Sequence, residues 1–175
     1  MATIDLIVLG ILNDQALSAY DIQKIVEYRN ISKWVKISTP SIYKKVIQLQ
    51  EKGYIKGTTV KEGKMPEKEI YTLTMSGKQE FETLMLKTAE QPIRIFLDFN
   101  AVIVNLDKLD HTRKSQCLNN IQRNIMELKH YLEDNLNAKK DIPDIPQTGL
   151  AVLQQQYILV QAIETWIASL KPSDE

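Results

Sequence analysis

One segment, Ser38–Thr74 (STPSIYKKVIQLQEKGYIKGTTVKEGKMPEKEIYTLT), limits what this chain can become more than any other. Its first part predicts a helix over 39–52, with Thr39 placed to cap it and Pro40 in the first turn, where a missing N–H costs nothing. Ile42, Val46 and Leu49 recur at spacings of four and three, which puts them on one face. Ser41, Lys44 and Gln48 then point the opposite way, at about 100° per residue, with Tyr43 on the flank. Gly53 ends the helix. Strand signals follow at 54–56 with 58–61 and at 70–73, around a loop over 62–68 punctuated by Gly63 and Pro66. A helix whose free face carries small, basic, amide and aromatic groups suits a DNA major groove, and a lysine-rich ribbon lies beside it.

Upstream, the run 4–12 is nearly continuous Ile, Leu and Val and predicts a buried first helix capped by Thr3, with a polar turn at Asn13-Asp14-Gln15. Ser18 and Asp21 stand three apart, the spacing of a capping box, and open a second helix running to about Arg29 with Ile22, Ile25 and Val26 facing in. Residues 34–37 predict a short strand or an extended link, with Trp34 packed between the second and third helices. Thr74 opens a fourth helix to about Glu90, carrying Phe81 and Leu84 on one side. Three helices, a hairpin and a closing helix make a winged helix-turn-helix.

The second half reads as helical throughout. Residues 93–109 are apolar on more than one face, and Asp110 caps a long helix on which Leu118, Ile121, Ile125, Leu128 and Leu132 repeat as a short coiled-coil seam. Residues 141–146 break the chain before a last helix over 148–170, whose broad apolar surface includes Tyr157, Val160 and Trp166. These helices carry more apolar surface than they can bury among themselves, so self-association through the seam and through Tyr157, Val160 and Trp166 is expected. The fold class is therefore mainly α (α+β). A winged helix-turn-helix over 1–87 precedes an all-helical dimerisation and effector domain over 88–175.

Charge follows the same division. The net charge is zero, yet residues 33–68 hold nine basic side chains against three acidic ones, so the positive charge gathers around the helix and ribbon. No run approaches the ~20 apolar residues of a membrane span, and 4–12 lacks a basic leader, so neither membrane nor secretory signal is expected. A single cysteine, Cys117, excludes an internal disulfide and fits the cytoplasm. Cys117, His111 and His130 have no metal-ligand spacing, and no phosphate-cradling glycine loop or nucleophile elbow is present. No metal, cofactor or catalytic activity is expected.

Four stretches together resemble the PadR family of bacterial transcriptional regulators. Ile7-Val-Leu-Gly-Ile-Leu12 is similar to its opening helix, and Leu17-Ser-Ala-Tyr-Asp-Ile22 to its turn into helix two. Ser38-Thr-Pro-Ser-Ile-Tyr43 with Leu49-Gln-Glu-Lys-Gly-Tyr-Ile55 resembles its recognition element, and 64–74 with Gly77 its wing and exit. The resemblance implies a homodimeric DNA-binding repressor, released from a pseudo-palindromic operator by a small molecule or stress signal. The chain departs from the family at Ala19, where glycine is usual, and at Met65, where arginine precedes the wing proline. It departs again at Lys44, Lys45, Ile47 and Gln48, so its preferred bases are not inherited.

The candidate DNA contacts are Ser38, Thr39, Ser41, Tyr43, Lys44 and Gln48 on the helix and Lys61, Lys64 and Lys68 on the wing. Ser41 and Tyr43 suit phosphate, Gln48 suits adenine, and Lys44 suits guanine or phosphate. Lys45 sits beside the buried stripe, where its stem can snorkel. Tyr157 and Trp166 are the ligand candidates, although aromatic residues at helical spacing are more often plain interface core. A protein-binding winged-helix scaffold is the rival reading, and the lysine excess at 33–68 argues against it.

Overall fold

In the computed structural model, which describes residues 2–61, 67–143 and 145–170, the chain divides into two units, Met1–Ile93 and Arg94–Glu175. The first is built on α1 (Ala2–Asp14), α2 (Ala19–Tyr28), α3 (Ser41–Glu51), β1 (Ile55–Val60), β2 (Lys68–Leu73) and α4 (Met75–Ala89). α1 outruns its apolar stretch at both ends, so Thr3 lies within it instead of capping it, and Asn13 and Asp14 continue it. The residues that follow it reach across to the sheet. There Leu17 N–H donates to the Tyr71 carbonyl (3.1 Å) and Tyr71 N–H donates to that of Leu17 (2.8 Å).

The Ser18–Asp21 capping box forms as the spacing demands. Asp21 N–H donates to Ser18 Oγ, and the Asp21 carboxylate accepts from the Ser18 N–H and hydroxyl. α2 buries Ile22 and Val26 completely and leaves Ile25 partly buried. A single 3-10 turn at Ile31–Lys33 and an extended link, without a strand at 34–37, lead to α3. Trp34 packs against the core there.

The start of α3 differs from expectation. Pro40 occupies the cap position in helical conformation, and the Thr39 side chain makes no cap hydrogen bond. Ser41 N–H donates to the Ser38 carbonyl and Ile42 N–H to that of Thr39, so tight backbone turns satisfy the donors a side chain would otherwise meet. At the other end Gly53 adopts φ +73. Gly53 N–H reaches the Gln50 carbonyl and Tyr54 N–H that of Leu49, the two bonds of a Schellman motif.

β1 and β2 pair antiparallel, with Ile55 opposite Leu73 and Val60 opposite Lys68. Thr74 caps α4 by accepting from Gly77 N–H, and its hydroxyl lies 2.7 Å from the Gly53 carbonyl oxygen. A Cβ at Gly77 would meet the Tyr54 carbonyl, so only glycine lets α4 approach the turn that closely. Val8, Leu9, Ile22, Val26, Ile42, Val46, Leu49 and Ile55 form one core, and α3 is held by its inner face.

In the second unit the segment 93–109 is not the continuous helix its apolar content suggested. It holds only α5 (Asn100–Ile103) and a 3-10 turn at Leu106–Lys108. Ile95 and Phe96 lie in its non-helical stretch, with Phe96 81% exposed. Asn105 Nδ2 donates to the Ala101 carbonyl, the kind of local side-chain bond that competes with helix propagation. α6 (His111–Lys139) starts at Asp110, whose carboxylate accepts from Arg113 N–H, and α7 (Gln147–Ser169) follows the break at 141–146. Ile121, Ile125 and Leu132 of α6 bury against Val160 and Ile167 of α7, and Lys129 Nζ pairs with Glu164 Oε2 at 2.7 Å. Among the described residues no helix is long and apolar enough to cross a membrane.

Candidate nucleic-acid interface

With Ile42, Val46 and Leu49 turned inward, Lys44 falls close to the opposite pole of α3, and Ile47 and Gln48 lie about 50° to either side of it, on a 100° wheel. Tyr43 and Ser41 occupy the two flanks. Tyr43, Lys44 and Ile47 are exposed and Gln48 is half-buried. Ser38 is exposed and Thr39 half-buried at the N-terminal end. The Ser41 hydroxyl donates to the Ser38 carbonyl, so its one proton already has an acceptor within the helix start. On the wing, Lys68 is exposed, and exposed Lys61 sits 3.5 Å from Glu67 Oε1. Lys64 and Met65 lie outside the described residues.

Two neighbouring lysines on α3 have opposite surroundings. Lys45 Nζ is 2.7 Å from Asp5 Oδ1, and both side chains are largely covered. The contact is an ion pair without the alignment of a directed hydrogen bond, since that oxygen has no hydrogen-bond partner. Lys45 thus ties α3 to α1, while Lys44 faces outward.

The C-terminal end of α3 is tied to the wing through Glu69. Gln50 Nε2 donates to Glu69 Oε1 (3.1 Å) and the Tyr71 hydroxyl donates to Glu69 Oε2 (2.8 Å). Burial first, then the bond to the Glu69 carboxylate, pushes the Tyr71 phenol up to about 12. Folding therefore strengthens this group's hold on its proton. That contribution to stability is complete below about pH 10 and is lost as pH rises from there through 12. Chemical denaturation at pH 9 and 11.5 is expected to show a larger alkaline loss in the natural protein than in Tyr71→Phe; equal losses would contradict the assignment.

Two exposed side chains were not among the candidate DNA contacts. Ile47 is 54% exposed beside Lys44, which a helical-wheel projection would have revealed. Tyr20 is 55% exposed in the first turn of α2, with Lys24 Nζ 5.3 Å from its ring centroid, a pairing visible in the i,i+4 spacing.

In the helical unit Leu118, Ile121, Ile125, Leu132 and Val160 are buried within the single chain. Leu128 is 47% exposed, and Trp166 is also exposed while tilted against Phe99 at 6.2 Å between ring centroids. A cavity of about 200 Å³ is lined by Leu97, Phe99, Ile121, Asn124, Ile125, Leu128, Val160 and Ile163. Tyr157 and Trp166 do not line it; Trp166 touches it only through Phe99.

A helix pair whose second helix shows a basic, polar face, followed by a two-stranded wing, defines a winged helix-turn-helix module. Residues 8–83 match the family described as "Transcriptional regulator PadR-like family". The chain is 34% identical over 86 residues to the "Negative transcriptional regulator PadR" of Bacillus subtilis (strain 168). That alignment spans about half of each protein, 49% of this chain and 46% of the relative. The crystal structure of Bacillus subtilis PadR in complex with operator DNA shares the fold, with a TM-score of 0.81, 22% identity and 95% of each chain covered. The same protein in complex with p-coumaric acid gives a TM-score of 0.78 at 21% identity, with 95% of this chain and 92% of that chain covered.

Proposed function

We propose that this chain is a DNA-binding transcriptional regulator, a repressor that works as a homodimer and releases its operator in response to a small molecule. The observation that carries the reading is the outward face of α3, where Tyr43, Lys44 and Gln48 stand on a helix fixed from behind by a closed apolar core. The helical unit, with Leu128, Tyr157 and Trp166 at its surface or partly so, supplies the pairing surface. Its cavity, apolar except for Asn124, is the candidate effector site. A DNA partner places the protein in the cytoplasm, and regulation calls for no catalytic step.

Paired recognition helices meet half-sites about one turn, roughly 10 bp, apart. Selection from a random double-stranded pool is expected to enrich a sequence with two-fold related halves. If the dimer neutralises about 6–8 phosphates, log K against log salt falls with a slope near −5 to −7. No enriched sequence, or a slope near zero, would remove the reading, and a monomer in sedimentation at micromolar concentration would remove the pairing.

A further inference from the structure

We propose that Ile47 reads the 5-methyl group of a thymine in the major groove and so fixes part of the sequence this protein selects. The inference rests on the DNA-binding reading and adds to it a contact made without hydrogen bonds. Ile47 lies beside Lys44, on the side away from Gln48, on the outward face of α3, one turn beyond Tyr43, and is 54% exposed. Among the described residues Ile47 is neither in the apolar core nor packed against it. A β-branched side chain lowers helix propensity relative to the lysine or glutamine around it, and its exposed carbon surface gains nothing from the core. Isolated apolar residues are common on protein surfaces. This one, however, stands within about 50° of the outward pole of a groove-sized helix, where every base edge is polar except for the thymine methyl. The short side chain brings its methyl groups to the groove floor only if the helix lies deep, a position the longer Lys44 and Gln48 tolerate by bending aside.

The test uses the DNA enriched by the natural protein, with each thymine replaced in turn by deoxyuridine, which lacks only that methyl group. Affinities are measured at one salt concentration for the natural protein and for Ile47→Ala, an exposed change that favours the helix. At one thymine per half-site the natural protein is expected to lose about fourfold, the worth of one buried methyl, while Ile47→Ala loses nothing. Because the paired protein makes the contact twice, Ile47→Ala is also expected to bind the unmodified DNA about 15-fold more weakly. A uracil effect equal in both proteins at every position, or absent from both, overturns the Ile47 contact and leaves DNA binding standing. Failure to enrich any sequence overturns both.

Discussion

Ile42→Ala is expected to destabilise the winged-helix unit by about 2–5 kcal/mol, the usual range for truncating a fully buried isoleucine. Ile42 is completely inaccessible, as is Val46 one turn on, and both close the core formed by Val8, Leu9, Ile22 and Val26. The loss combines the transfer of three carbons out of an apolar setting with the void they leave, and α3 cannot settle inward to fill it. Its N-terminal turns are fixed by backbone bonds to Ser38 and Thr39, its middle by the Lys45–Asp5 pair, and its end by the Schellman turn at Gly53. Because the chain holds two units, a single unfolding midpoint is a poor gauge. Hydrogen exchange at the amides of α1, α2 and α3 reports this unit directly. Protection there should fall by about 30-fold or more; a change under about threefold would mean that the core closes without Ile42.

Such a core was readable in the sequence because its pattern is periodic. Ile42, Val46 and Leu49 declare a face, and Ser18 with Asp21 declares a start, since those bonds form between residues three or four apart. The misses arise where the deciding partner is distant or the pattern has no period. Thr39 is a good capping residue, but Pro40 already carries helical dihedrals, and backbone turns took the donors first. The 93–109 segment is apolar without being periodic, and hydrophobicity dictates cover, not conformation. There Phe99 enters the α6–α7 core from outside any long helix.

Leu128 shows the same limit at finer scale. On a 3.6-residue helix it stands about 40° to one side of the middle of the Leu118–Leu132 stripe; Ile121, Ile125 and Leu132 are covered by α7 while Leu128 stays exposed. The candidate interface was legible as a set of residue types, but not in its division of labour. That the Ser41 proton is already taken depends on the turn at Ser38, and that Lys45 belongs to Asp5 depends on the packing of α1 against α3, whereas the outward place of Ile47 follows from the helical period.

Lys44→Ala is expected to have the largest effect on DNA binding. A lysine contact to a base edge contributes about 1–3 kcal/mol, and a paired protein makes it twice, so the operator complex should weaken by about 2–6 kcal/mol, from roughly 30-fold to beyond 10⁴-fold. The effect also tells which group Lys44 meets. Loss confined to the selected sequence marks guanine; loss shared with unrelated DNA, with the salt slope shallower by about two, marks phosphate. Lys45→Ala is the necessary comparison, because it removes the same charge one residue along. Leaving the Asp5 carboxylate without its partner, it should lower the stability of the winged-helix unit while leaving the salt slope of the folded protein unchanged. If Lys44→Ala binds as well as the natural protein, the outward face of α3 is not what enters the groove. If the two variants behave alike on DNA, charge alone and not the orientation of α3 governs binding.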